Sequence, residues 1–341
     1  MPDVLLVSLG STGGLRRADA ALTGAMRRGG ASVTVAQAAR PRQLRTMALT
    51  DLAWARAART AAREALAGGR PRAVLYSTTT AALLWPLPGA VRFDAPSAGN
   101  RPGRHGLWQR PLERRRLRTA PLLVPWAPEG LAEVAGPRAD AVVVPVPVEP
   151  SGPVVGPAER DIAAIMYATN PVKKGLDRVL AAWAAARREG EELTVVGAAV
   201  AADTPGVRAT GLLAPDEYRA LVRRARVYVC APRREDFGLA QLEALADGCA
   251  LVTTAAPGPY AALAPARELD ERLVVPDLPP VAALAATRAR SPADPLAVAL
   301  RTALDDPRAD YRERAAALLG AYRPAVVDRV VADELLPALL A

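Results

Sequence analysis

The opening residues constrain the fold more than any other stretch. Val4-Leu5-Leu6-Val7-Ser8-Leu9 is a nearly continuous apolar run ending at Gly10, which reads as a parallel strand buried on both faces. Gly10-Ser11-Thr12-Gly13-Gly14 then turns into a helix expected from about Arg16 to Arg28, and Ser32-Val33-Thr34-Val35 is the next strand. Two parallel neighbours need a crossover between them, so strand, glycine loop, helix and strand begin a doubly wound α/β sheet. The glycines do not have the Gly-x-Gly-x-x-Gly spacing of a dinucleotide fingerprint.

The alternation continues. Asp51 to Leu66 predicts an alanine-rich helix, with Trp54 packed in the core. Ala73–Tyr76 is a third strand with Thr78-Thr79-Thr80 as a helix cap at its end, and Ala90–Phe93 a fourth, closing on Asp94-Ala95-Pro96. Leu122–Val124 and Ala141–Val144 complete a first domain over 1–148. Residues 149–160 form a linker dense in proline and glycine, which stiffens a connection and prevents ladder formation. A second domain is expected over 161–324. Its strands are Ile162–Tyr167, Leu193–Val196, Val207–Ala209, Val227–Cys230 and Leu251–Thr254, and its helices include Gly175–Arg187 and Pro215–Arg224. A closing helix spans 325–341. At 341 residues, with 51% hydrophobic and 23% charged side chains, the chain suits about two globular domains.

No run of about eighteen apolar residues appears, and Met1-Pro2-Asp3 does not begin a secretory signal, so a cytoplasmic protein is expected. Cys230 and Cys249 lie in apolar surroundings and read as buried thiols rather than a disulfide or metal pair. The net charge of +9 is concentrated where Arg101, Arg104, Arg110, Arg114, Arg115, Arg116 and Arg118 face only Glu113. That segment includes the long loop Ser97–Pro111 and the only histidine, His105. It could grip an anionic acceptor through Arg101 and Arg104, rest on the anionic inner face of a membrane, or be a solvated face. Aromatic residues are only 4% of the chain, and Trp108 alone lies in the cluster, which disfavours a nucleic-acid binder for want of stacking platforms.

The richest stretch is Arg233-Arg234-Glu235-Asp236-Phe237-Gly238-Leu239-Ala240-Gln241-Leu242-Glu243, after the strand at Val227–Cys230. It opens into a helix that Gly248 can end. Glu235 lies in the strand-to-helix loop and Glu243 about two turns further on. Phe237-Gly238-Leu239 brings free backbone N–H groups to the same place, where an anion is favoured. A sugar, a phosphate and a ribose in sequence would satisfy all three features. Lys173 and Lys174, the only lysines of the chain, follow the first strand of the same domain.

Glu-x7-Glu with an internal Phe-Gly-Leu resembles the signature of retaining nucleotide-sugar glycosyltransferases of the GT-B fold, the group 1 family also called family 4. The resemblance covers about Ile162 to Thr254 well and the first domain in outline. It implies two Rossmann-like domains facing each other across a cleft, and transfer of a sugar from a nucleoside diphosphate to an acceptor hydroxyl with retention, without a metal or other cofactor. In the family the first glutamate faces the donor sugar and the second holds the ribose; these roles fall to Glu235 and Glu243. Gly13 and Gly14 match the first-domain loop that approaches donor phosphate or acceptor. Lys174 matches the lysine that neutralises the diphosphate. The family's arginine five residues earlier is replaced by Thr169, a neutral donor, so Lys173, Arg233 or Arg234 must compensate or binding weakens. The family's first-domain histidine is replaced by Asp94, with His105 in the following loop. The acceptor could be a lipid, a glycan or a small molecule. Rival readings are a glycoside hydrolase using Glu235 and Glu243, a nucleic-acid binder, a catalytically weak nucleotide-sugar-binding homologue, and a GT-B epimerase, for which no matching histidine and carboxylate set is visible.

Overall fold

The first apolar run forms β1 (Val4–Ser8), and the rest of its sheet is β2 (Val33–Gln37), β3 (Ala73–Tyr76), β4 (Ala90–Phe93) and β5 (Leu123–Pro125). All pairings are parallel, in the order β2-β1-β3-β4-β5. The computed structural model describes residues 1–136, 140–277 and 294–341. It divides into one unit of Met1–Pro147 with Ala321–Ala341 and another of Val148–Gly320.

Successive residues of a strand face opposite sides of a sheet, and β1 shows the consequence. Leu5 and Val7 enter one core with Ala58 and Ala62 of the helix Met47–Ala67, and with Tyr76, Val91 and Trp85. Val4 and Leu6 enter the other, with Leu22 and Met26 of the helix Gly13–Arg28. Val327, Val331, Leu335 and Leu336, from the final helical segment, complete this second core. Arg28 binds both oxygens of Asp328 at 2.7 Å, tying the two helical elements together. Trp54 is partly buried against the first core.

Three expectations need correction in this unit. Gly13 and Gly14 are not a turn but the first residues of a helix capped by Thr12, whose hydroxyl accepts from the Leu15 N–H; the turn conformation falls on Gly10, at φ +56°. Ala141–Val144 is not a regular strand. It runs beside β5 and donates from Val142 and Val144 to the carbonyls of Leu123 and Pro125. Pro125 has no N–H to return. The stretch read as one long loop over Ser97–Pro111 contains helical turns at Ser97–Asn100 and Gly103–Gly106.

The second unit is a six-stranded parallel sheet of β6 (Ile162–Tyr167), β7 (Leu193–Val196), β8 (Val207–Gly211), β9 (Ala225–Cys230), β10 (Ala250–Thr254) and β11 (Val274–Val275). Its order is β11-β10-β9-β6-β7-β8. The chain builds outward from β6 in one direction, then returns to β9 on the other side. The switch point, where ligands bind in sheets of this kind, lies beyond the carboxyl ends of β6 and β9. In the same unit Trp183, 1% exposed, donates from Nε1 to the Gly206 carbonyl at 2.8 Å, just before β8. No helix among the described residues is long and apolar enough to cross a membrane.

Candidate active site

Two loops meet at the switch point. After β6, Asn170 caps the turn Pro171–Lys174 by accepting from the Lys173 N–H at 3.0 Å, with Pro171 preset for the first helical position. Gly175 ends the turn at φ +70°, and a Cβ there would lie 1.8 Å from the Ala231 carbonyl oxygen. Only glycine lets the two loops approach so closely. After β9, the Arg233 N–H donates to the Lys173 carbonyl at 2.9 Å, joining the loops through their backbones.

The side chains then pair across the seam. Lys174 Nζ lies 2.6 Å from Glu235 Oε2, with side-chain exposures of 19% and 6%. Gln241 Nε2 donates to the same oxygen at 2.9 Å. Burial works against the charge on Lys174, but the Glu235 carboxylate outweighs it and, aided by Asp236, holds the ammonium above its ordinary pKa. Asp236 is the second hub. Its oxygens accept from Lys173 Nζ at 2.5 Å and Arg234 Nε at 2.8 Å. Burial would raise its pKa, yet Lys173 and Arg234 hold the carboxyl below the usual range.

Gly238 precedes the helix Leu239–Ala246 at φ +88°, and a Cβ there would press to 2.7 Å from the ring of Tyr260. Phe237 is buried, and its carbonyl accepts from the Ala261 N–H. The Tyr260 hydroxyl in turn pairs with Thr253 at 2.8 Å. Two turns into the helix, the Glu243 carboxylate lies 3.4 Å from Arg219, which also binds Asp247 at 2.7 Å. Gly248, at φ +81°, follows the helix end as expected. A lysine-bound carboxylate, a helix N-terminus and a second carboxylate therefore share one strand-loop-helix unit. This arrangement suits an anion flanked by hydroxyl groups.

Residues 162–290 match a protein-family model described as glycosyl transferases group 1. No curated protein sequence matches the chain. Sucrose-phosphate synthase from Thermosynechococcus elongatus superposes with a TM-score of 0.69 at 16% identity, covering 98% of this chain and 99% of that one. WaaG, a glycosyltransferase involved in lipopolysaccharide biosynthesis, gives 0.67 at 15% identity over 96% and 99%. HepE from Anabaena, solved with UDP and glucose, gives 0.60 at 14% over 98% and 99%. The fold is GT-B.

Within the second GT-B unit the structure brings Lys174, Glu235 and Lys173 into one bonded cluster, with Phe237, Gly238 and Leu239 at its edge. Thr169 is exposed and packs its methyl over Gly197. Arg233 is not part of the cluster; its guanidinium forks onto Asp177 at 2.9 and 2.7 Å.

The expected first-unit residues belong to a separate body. Gly13 and Gly14 are exposed at their helix start. Asp94 follows β4, and its Oδ1 accepts from the Ala95 N–H. His105 and Arg104 are exposed, whereas Arg101 is held by Asp51 at 2.7 Å. The basic segment is also less free than its charge suggests. Arg110 donates to the carbonyls of Arg101 and Gly103, and Arg116 stacks 4.7 Å over Trp85.

Sequence reasoning missed Gln241, Asp236 and Arg219. Gln241 stands at the third position of the helix, and its Nε2 turns back to Glu235 across the loop. Also missed was a buried cluster in the first unit. Ser8 donates to Asp19 at 2.6 Å, and Asp19 lies 3.6 Å from Arg92, which is fully buried over Trp126. Burial lowers the pKa of Arg92 to about 10, with Asp19 opposing.

Proposed function

We propose that this chain is a glycosyltransferase that moves a sugar from a nucleoside diphosphate to an acceptor hydroxyl, with retention and without a metal. The observation that carries this reading is the Lys174–Glu235 pair at the switch point of the second sheet, inside the segment that matches the group 1 model. As the glycosidic bond breaks, negative charge develops on the leaving diphosphate. The Lys174 ammonium and the N–H groups at Gly238-Leu239 are already in place to stabilise it. Glu235 is fixed by two donors on one oxygen, which suits it to orient a sugar hydroxyl rather than attack carbon. Glu243, anchored by Arg219, takes the ribose.

The complex of HepE with UDP and glucose makes UDP the first nucleotide to try. The acceptor is a hydroxyl compound, and the exposed Arg104, three residues after the held Arg101, favours one bearing an anionic group. Thermal-shift and calorimetric titration with UDP, GDP, ADP and dTDP tests the reading. One of them stabilises the wild type, and Lys174→Ala and Glu243→Ala each weaken it about tenfold or more. No stabilisation of the wild type by any of the four at millimolar concentration sinks the donor site. The anomer of the product, read by NMR, decides retention.

A further inference from the structure

Resting on that donor-site reading, we propose that Asp236 is a positioning residue that holds Lys173 and Arg234 side by side as a second cationic grip, beside Lys174, selecting diphosphates over monophosphates. The cations near this loop are not equivalent. Arg233 is committed to Asp177 and to the Val172 carbonyl. Lys174 is committed to Glu235 and is 19% exposed. Lys173 keeps 37% of its side chain exposed while its Nζ touches Asp236, so it can bind an anion without leaving its partner. Its backbone is fixed at both ends, by the Asn170 cap and by the Arg233 N–H.

Asp236 itself is 9% exposed. A carboxylate at that depth is costly unless cations pair with it, and here one sits on each oxygen. Asp236 thus binds two cations, Lys173 and Arg234, while Glu235 binds Lys174. The helix start at Gly238 follows two residues beyond Asp236. Thr169, at the end of the same strand as the lysine turn, contributes no charge. Without Asp236, Lys173 would be free to swing to solvent, and two phosphoryl groups would meet one ammonium only.

Calorimetric titration of the intact protein compares UDP with UMP, with GDP and GMP, and ADP and AMP, run in parallel. Lys173→Met, Asp236→Asn and Arg234→Gln each reduce diphosphate affinity about tenfold or more and monophosphate affinity less than about twofold. Lys173→Arg restores most of the preference. A purely structural role would lower both affinities together, and that result overturns the proposal, as does wild-type diphosphate affinity in Lys173→Met. That variant alters a half-exposed side chain, so the test survives misfolding of Asp236→Asn. If Lys174→Ala loses binding while Lys173→Met and Asp236→Asn do not, only the grip is refuted. If the wild type binds no diphosphate, the donor site falls with it.

Discussion

Cys249 shows how far burial sets chemistry at one residue. Its side chain is 0% exposed, it donates to the Val222 carbonyl at 3.1 Å, and burial pushes its thiol up to about 12. Cys230 is also buried, with its thiol raised by burial despite contacts to Thr253 and Tyr260. The thiolate is the reactive form, so neither cysteine is alkylated by iodoacetamide at about pH 8 in the native protein, and both are alkylated once it unfolds. Mass spectrometry of the two states checks this; native labelling of either thiol contradicts it. Both cysteines were legible as buried thiols because their neighbours in sequence are apolar. The two lysines stood out by rarity, and each meets a carboxylate from the loop after β9. Arg219 beneath Glu243 was not legible, because that pairing depends on how a helix lies against the sheet rather than on any local pattern.

At the scale of elements, most strands could be read directly. Strands buried on both faces are continuous apolar runs, and β3, β4, β6 and β7 have the bounds their runs suggested. The two-residue β11 was invisible, being too short to carry a pattern. Ala141–Val144 looked like a strand because it is a continuous apolar run; that it lies beside a strand ending in Pro125 depends on the tertiary arrangement. The contact between the lysine turn and the loop after β9 depends on Gly175. Gly175→Ala puts a Cβ against the Ala231 carbonyl and forces an alanine into a left-handed conformation. Such strain costs about 1–3 kcal/mol before the clash is counted. Urea denaturation therefore shows a loss of at least about 2 kcal/mol, and nucleotide affinity falls with it; an unchanged midpoint would mean the loops do not need this approach.

At the scale of the whole chain, each unit has its own sheet, and the first contains both the earliest and the latest residues. Val327, Val331, Leu335 and Leu336 are all at or below 5% exposure in its core. Burying side chains of this size contributes roughly 1.5–3 kcal/mol each, together comparable to the whole net stability of a typical domain, about 5–15 kcal/mol. Ending the chain at Gly320 therefore unfolds the first unit or leaves it exposing apolar surface, while the sheet β6–β11 persists. Dye binding and limited proteolysis with peptide mapping distinguish these; a truncated protein that melts like the full chain refutes the estimate.

The interleaved order of the chain also sets a schedule for synthesis. Residues 148–320 leave the ribosome as a complete unit, while the sheet translated before them still waits for its last helical cover. The nascent protein thus carries an unfinished apolar face through about half of its own translation, and the part made first is the part finished last.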